Sequence, residues 1–187
     1  MHRVQVDRPL LRSLLVMATV IEARDPFTGG HVWRTSRYAR ILAQAAGLDA
    51  AEVFMAQIGG LVHDLGKIGI PDAILRKGGR VTPDEYRIIQ LHPEIGRDIV
   101  VNHPLSALVE RPVTEHHLRM DGLGYPSRLA DVEPSVVSRV VAVADVFDAI
   151  TSFRPYRDGR PVDRGVAVLE EERGRQLDAS LADTFLS

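Results

Sequence analysis

The chain has 187 residues, 45% hydrophobic and 26% charged, with a formal net charge of -2 and no cysteine. That is enough apolar sequence to bury a core, and the balanced, well-mixed charges leave no footprint for nucleic acid or a membrane surface. Without thiols there are no disulfides, thiolate metal sites or cysteine nucleophiles, so any metal must be held by nitrogen and oxygen.

No apolar run approaches the roughly 20 residues that cross a bilayer. Met1-His2-Arg3 opens no secretory leader, and a cytoplasmic protein is expected. Residues 10–23 read as an amphipathic helix, with apolar Leu11, Leu14, Leu15, Ala18 and Ile21 set against Arg12, Ser13, Glu22 and Arg24. A breaker-rich turn, Arg24-Asp25-Pro26-Phe27-Thr28-Gly29-Gly30, leads into a helix over residues 31–46 that Gly47 stops. Asp49 and Glu52 form a capping box for the next helix. That helix runs through Val53, Phe54, Met55, Ile58, Leu61 and Val62 and carries His63 and Asp64, with Gly66 predicted as its stop.

A short turn follows at residues 72–75, then the loop Lys77-Gly78-Gly79-Arg80. Thr82-Pro83-Asp84-Glu85 is a strong helix start, combining an N-cap, a first-position proline and a third-position Glu. The helix is expected to reach His92 and break at Pro93, with further helices at residues 94–101 and 105–118, the latter carrying Glu115-His116-His117. Residues 119–133 read as loop around Asp121-Gly122-Leu123-Gly124-Tyr125-Pro126. An apolar helix over residues 136–151 contains Asp145 and Asp148, and after Arg154-Pro155-Tyr156-Arg157 come two short helices at residues 162–173 and 178–186. No strand alternation and no repeat appears. The predicted class is all-α, roughly seven to nine helices in an irregular arrangement rather than an up-down bundle.

Five of the seven histidines, His31, His63, His92, His116 and His117, fall at helix starts or ends beside apolar sequence. Asp64 and Asp145 also sit among apolar neighbours, where a lone carboxylate would go neutral. Two carboxylates and several imidazoles exceed the needs of one tetrahedral zinc and suit two adjacent metals that share a carboxylate. His116 and His117 would diverge by about 100° on a regular helix, so the helix should end there if both serve one site. Cationic Lys67, Arg154 and Arg157 could neutralise phosphate oxygens.

Taken in order, these blocks resemble the HD-GYP family, a branch of the HD-domain phosphohydrolases that cleave cyclic di-GMP. The likeness covers residues 25–31, His63-Asp64-Leu65-Gly66-Lys67, Leu91-His92-Pro93-Glu94-Ile95-Gly96, His116-His117 with Gly124-Tyr125-Pro126, Val143-Ala144-Asp145-Val146-Phe147-Asp148, and Arg154-Pro155-Tyr156-Arg157. The resemblance implies metal ligands at His63, Asp64, His92, His116, His117 and Asp145, with His31 a further ligand. Asp64 would bridge the metals, Lys67, Arg154 and Arg157 would hold phosphate, and Gly124, Tyr125 and Pro126 would shape the nucleotide side. His2 and His103 match no motif.

Leu118 and Met120 depart from the family, which commonly has Glu after the histidine pair and often Trp two residues later. Phe27 stands where members with three metals have Glu, which implies a two-metal site, iron or manganese in preference to zinc. The implied reaction is hydrolysis of cyclic di-GMP by a metal-bridged hydroxide to pGpG, and to GMP after a second cut. The alternatives are a catalytically weak cyclic di-GMP sensor or docking module, or a phosphohydrolase for another nucleotide. Residues 1–24 are expected to form an N-terminal helix, linking a sensory or receiver domain to an HD-GYP domain at residues 25–187, as in a fragment of a longer protein. A diguanylate cyclase and a second copy of the chain are further expected partners; nucleic acid and membrane are not.

Overall fold

The computed structural model describes residues 7–25, 29–152 and 161–187. Their α-helices are α1 (Arg8–Arg24), α2 (His31–Ala45), α3 (Ala50–Val62), α4 (Asp72–Leu75), α5 (Pro83–Ile89), α6 (His92–Val100), α7 (Ser106–Glu115), α8 (Val136–Thr151), α9 (Val162–Glu172) and α10 (Ala179–Leu186). Apart from the single turn α4 these are nine helices, joined by 3-10 turns at Leu65–Gly69 and Ser127–Leu129. The only β pairing among the described residues is one bridge, Arg173 to Leu177. The all-α expectation holds. No helix of the described residues is long and apolar enough to cross a membrane.

The capping chemistry read from the sequence sets the helix starts. Asp49 accepts from the Ala51 and Glu52 amides while Glu52 accepts from the Asp49 amide. Thr82 and Glu85 make the same reciprocal pair at α5. Each such cap is worth about 1 kcal/mol, because it satisfies amides that a helix N-terminus leaves without partners.

Two apolar clusters lie on either side of α3. One joins Ala39, Leu42 and Ala43 of α2 and Ala56 of α3 to Val140, Val141 and Val143 of α8, with Leu169, Leu177 and Leu181 beyond. The other joins Leu14, Ala18 and Ile21 of α1 to Ile58, Leu61 and Val62 of α3, Leu65, and Val109 and Val113 of α7. The C-terminal end of α3 is thereby gripped from all sides, and His63 begins there.

The structure corrects three boundaries. Gly66 is not a helix stop: α3 ends at Val62 and the chain tightens into the 3-10 turn Leu65–Gly69. Gly66 is needed for close approach, since a Cβ there would lie 1.7 Å from the His92 carbonyl oxygen and 2.5 Å from the Gly96 nitrogen. The break before α6 falls at Gln90 and Leu91 rather than at Pro93, because proline has no amide to lose in the first turn of a helix and starts α6 instead. Helix α7 ends at Glu115, three residues before the expected limit, with His116 as its C-cap.

Candidate metal centre

Each imidazole in the centre is delivered by a helix end. His31 and His92 open α2 and α6, while His63 and His116 cap α3 and α7. The end of α7 lets His116 and His117 share a site, their rings 4.2 Å apart. Asp145 reaches in from the middle of α8.

The candidate ligand atoms form two groups, His31 with His63 and Asp64, and His92 with His116 and His117; within each, they lie within 4.8 Å of one another. Asp64 stands between them. Its Oδ2 is 3.4 Å from His63 Nε2 and 3.8 Å from His31 Nε2, and its Oδ1 is 3.4 Å from His92 Nε2. Asp145 Oδ1 lies 3.3 Å from His31 Nε2 and 3.8 Å from His63 Nε2, on the first group's side.

The outward ring nitrogens identify what the inward ones offer. His63 Nδ1 donates to the Gly60 carbonyl, His92 Nδ1 to Ile89, and His116 Nδ1 to Pro112 and Val113. A neutral ring that donates from Nδ1 carries only a lone pair at Nε2. The Nε2 atoms of His92 and His116 nevertheless face each other at 3.2 Å, fully buried. Two opposed lone pairs repel unless a cation lies between their directions, so the donor set fits a divalent metal of intermediate hardness.

Electrostatics divide the site into rings kept neutral and groups kept charged. Burial, reinforced by repulsion from His117, lowers His92 to about 3. Burial likewise lowers His117 to about 4 and pushes His116 well below its ordinary value. Burial alone would raise Asp64, but Lys67 and His63 hold it well below the usual carboxylate range. Asp145 is held down too, burial being outweighed by His31 and then His63. His31 differs from His92, His116 and His117. Burial opposes its charge, yet Asp145 and Asp148 together raise it to about 9.

Of the other predicted site residues, Lys67 Nζ lies 2.7 Å from Asp64 Oδ2 and 3.5 Å from Asp25 Oδ2. The Tyr125 ring sits 4.5 Å from that of His117, and the Tyr125 amide donates to the His117 carbonyl. Gly124 permits that approach, because a Cβ there would lie 2.4 Å from the same carbonyl oxygen. Pro126 is buried, and Leu118, in the family's Glu position, fills core space. The loop is tied to the α9–α10 link by the Met120 and Asp121 amides, which donate to Gln176 and Arg175. Arg154, Arg157 and Phe27 lie outside the described residues. His103 stands apart, bonded to Ser13 and to the Leu105 amide.

Sequence reasoning missed three supporting groups. Asp148, buried, accepts from His31 Nδ1 at 2.7 Å and from the fork of Arg34 at 2.6 and 3.1 Å, fixing the His31 ring. Its spacing from Asp145, i to i+3 on one helix face, was the available signal. Asp25 is buried against Lys67. Arg24 ends α1 by donating to the carbonyls of Lys67, Ile68 and Ile70, which clamps the 3-10 turn; no local pattern announces that contact.

A family model described as an HD domain matches residues 15–181. The chain is 36% identical, over 97% of its length and 49% of the relative's, to the cyclic di-GMP phosphodiesterase response regulator RpfG of Xanthomonas campestris. It is 32% identical, over 85% of its length and 35% of the relative's, to the 3'3'-cGAMP-specific phosphodiesterase 3 of Vibrio cholerae. The fold superposes on Bd1817, an HDG"Y"P protein from Bdellovibrio bacteriovorus, with a TM-score of 0.72 at 17% identity, over 96% of this chain and 64% of that one. The chain thus spans half or less of the length of those two relatives.

Proposed function

The chain belongs to the HD-domain family, in its HD-GYP branch, and from that premise we propose that it is a metal-dependent phosphodiesterase that hydrolyses a cyclic dinucleotide, cyclic di-GMP first among them. The observation that carries the reading is Asp64, whose two oxygens face separate imidazole groups, as a carboxylate shared by two metals would. His31, His63 and Asp145 would hold one ion and His92, His116 and His117 the other. Iron or manganese suits these all-nitrogen-and-oxygen ligands better than zinc, which favours four ligands. Metal ions held there supply, when bound, a water of lowered pKa and positive charge beside the phosphodiester.

The chain's own residues do the rest. Lys67 keeps Asp64 ionised and presents its ammonium to the phosphate, a role that Arg154 and Arg157, by their type, would share. Arg34 and Asp148 fix the ring of His31, so its Nε2 stays aimed at Asp145. Tyr125 packs its ring against that of His117. One water adds across a P–O3' bond, leaving a 5'-phosphate and a free 3'-hydroxyl. The product is linear pGpG, and a second cut gives GMP.

The test is incubation of anaerobically purified, metal-analysed protein with cyclic di-GMP and with 3'3'-cGAMP, followed by mass spectrometry of the products. Linear dinucleotide with two metals per chain is expected. Three fully occupied metals would overturn the two-metal reading, and tight binding without any product would make the domain a sensor instead.

A further inference from the structure

A second feature adjoins the centre, and most of its lining has no part in the chemistry above. A cavity of about 660 Å³ shares Lys67 and Asp25 with the metal site and extends outward to the Lys77-Gly78-Gly79-Arg80 loop. Its walls are apolar at Leu75 and Val81, with Tyr86 exposed along one side. The volume is within the roughly 300–1,000 Å³ of small-molecule sites. Tyr86 also meets the Tyr125 ring edge-on at 6.5 Å, so one wall of the cavity touches the loop that covers His117.

The cations of this cavity are not equivalent. Lys67 is engaged by Asp64, and Lys77 by both oxygens of Glu85 at 2.6 and 2.8 Å. Arg80 lines the same cavity, is exposed, and makes no ion pair or hydrogen bond among the described residues. A cyclic dinucleotide carries two phosphates, and only one can sit at the metals. The other reaches the protein with its charge uncompensated, together with a purine whose face must be covered.

Resting on the cyclic dinucleotide reading above, we propose that this cavity seats the uncut half of the substrate, its purine against Tyr86, Leu75 and Val81 and its phosphate on Arg80. An aromatic ring with apolar walls accepts the flat face of either purine, and a planar guanidinium matches phosphate oxygens in pairs. Arg80 and Tyr86 are therefore residues for holding the dinucleotide, and act on it through binding.

The experiment compares kcat/KM for cyclic di-GMP with that for bis(p-nitrophenyl) phosphate, a small diester that fills only the cutting position, in the metal-loaded full chain. In Arg80→Ala the ratio of the two should fall roughly tenfold or more, as expected for one lost charge-assisted hydrogen bond. In Tyr86→Ala it should fall about fivefold or more from lost stacking. Arg80→Lys should restore part of the loss. Wild-type ratios in both alanine variants would overturn the proposal. A wild-type protein that cleaves the small diester but neither binds nor cleaves cyclic dinucleotides would overturn the functional reading itself, and this seat with it.

Discussion

Gly66→Ala tests how the centre is built without altering any of the proposed ligands. The new Cβ would stand 1.7 Å from the His92 carbonyl oxygen, whereas real Cβ contacts almost never fall below 3.0 Å, so backbone must separate by about 1.3 Å at that point. The obstructing atoms are backbone of α6, and no side-chain rotation relieves them. His92 is the first residue of α6 and sits 3.4 Å from Asp64 and 3.2 Å from His116. Metal–ligand distances tolerate only about 0.2 Å, so a shift of this size removes His92 from the second group. Overpacking of this kind costs about 1–3 kcal/mol, which lowers the melting temperature of a chain this long by roughly 2–12 °C. The variant should therefore fold, lose about one metal per chain, and hydrolyse cyclic di-GMP at least about a hundredfold more slowly. Elemental analysis, thermal melts and the product assay measure the three quantities separately. A variant with wild-type metal content and turnover would refute the reasoning, whatever its stability.

Asp64→Ala should lose both metals and all hydrolysis while keeping its helical circular dichroism, because the apolar faces of α3 and α7 do not depend on it; two retained metals with normal turnover would exclude the bridging role. Lys67→Ala should lower kcat/KM roughly tenfold to a hundredfold through one lost charge-assisted contact, with metal content unchanged; unaltered kinetics would place the phosphate elsewhere. His103→Ala should change neither metal content nor rate, since its partners are Ser13 and Leu105, and a large loss would mean that the histidines are wrongly assigned. Metal-free protein should lose stability as pH falls from about 7 to 5. In that window the unfolded chain protonates its histidines near 6.5, whereas folded His92 and His117 stay neutral down to about 3 and about 4. The slope is up to about 1.4 kcal/mol per pH unit for each group. His31, raised to about 9, works the other way and only between pH 6.5 and 9, where its contribution is lost as pH rises. Melting temperatures of chelated protein that stay flat or rise from pH 7 to 5 would contradict these buried neutral rings.

Local chemistry was legible because it acts over three or four residues. The capping boxes at Asp49 and Thr82, the start of α8 after Ser135 and the run of the chain into His63 are written in adjacent side chains. The requirement that α7 end at the histidine pair followed from helix geometry alone. Residue types also limited the metals, since a chain without cysteine offers only nitrogen and oxygen. The arrangement of those ligands depends on contacts between residues far apart in the chain. Gly66 reads locally as a helix stop, and its use, to let His92 approach, exists only because α6 packs on the 3-10 turn. Asp148 reads as one more acid on α8 until Arg34 and His31 of α2 close on it. Arg24 reads as the basic end of a linker helix, yet it clamps the turn that carries Lys67. The sequence by itself determined which groups could bind metal and that the histidines among them stand near helix termini, though not that His92 opens α6 rather than closing the helix before it. Only the tertiary structure decided that they divide into two groups with Asp64 between them, because a buried site is satisfied by whatever the packing of separate helices brings within a few ångströms.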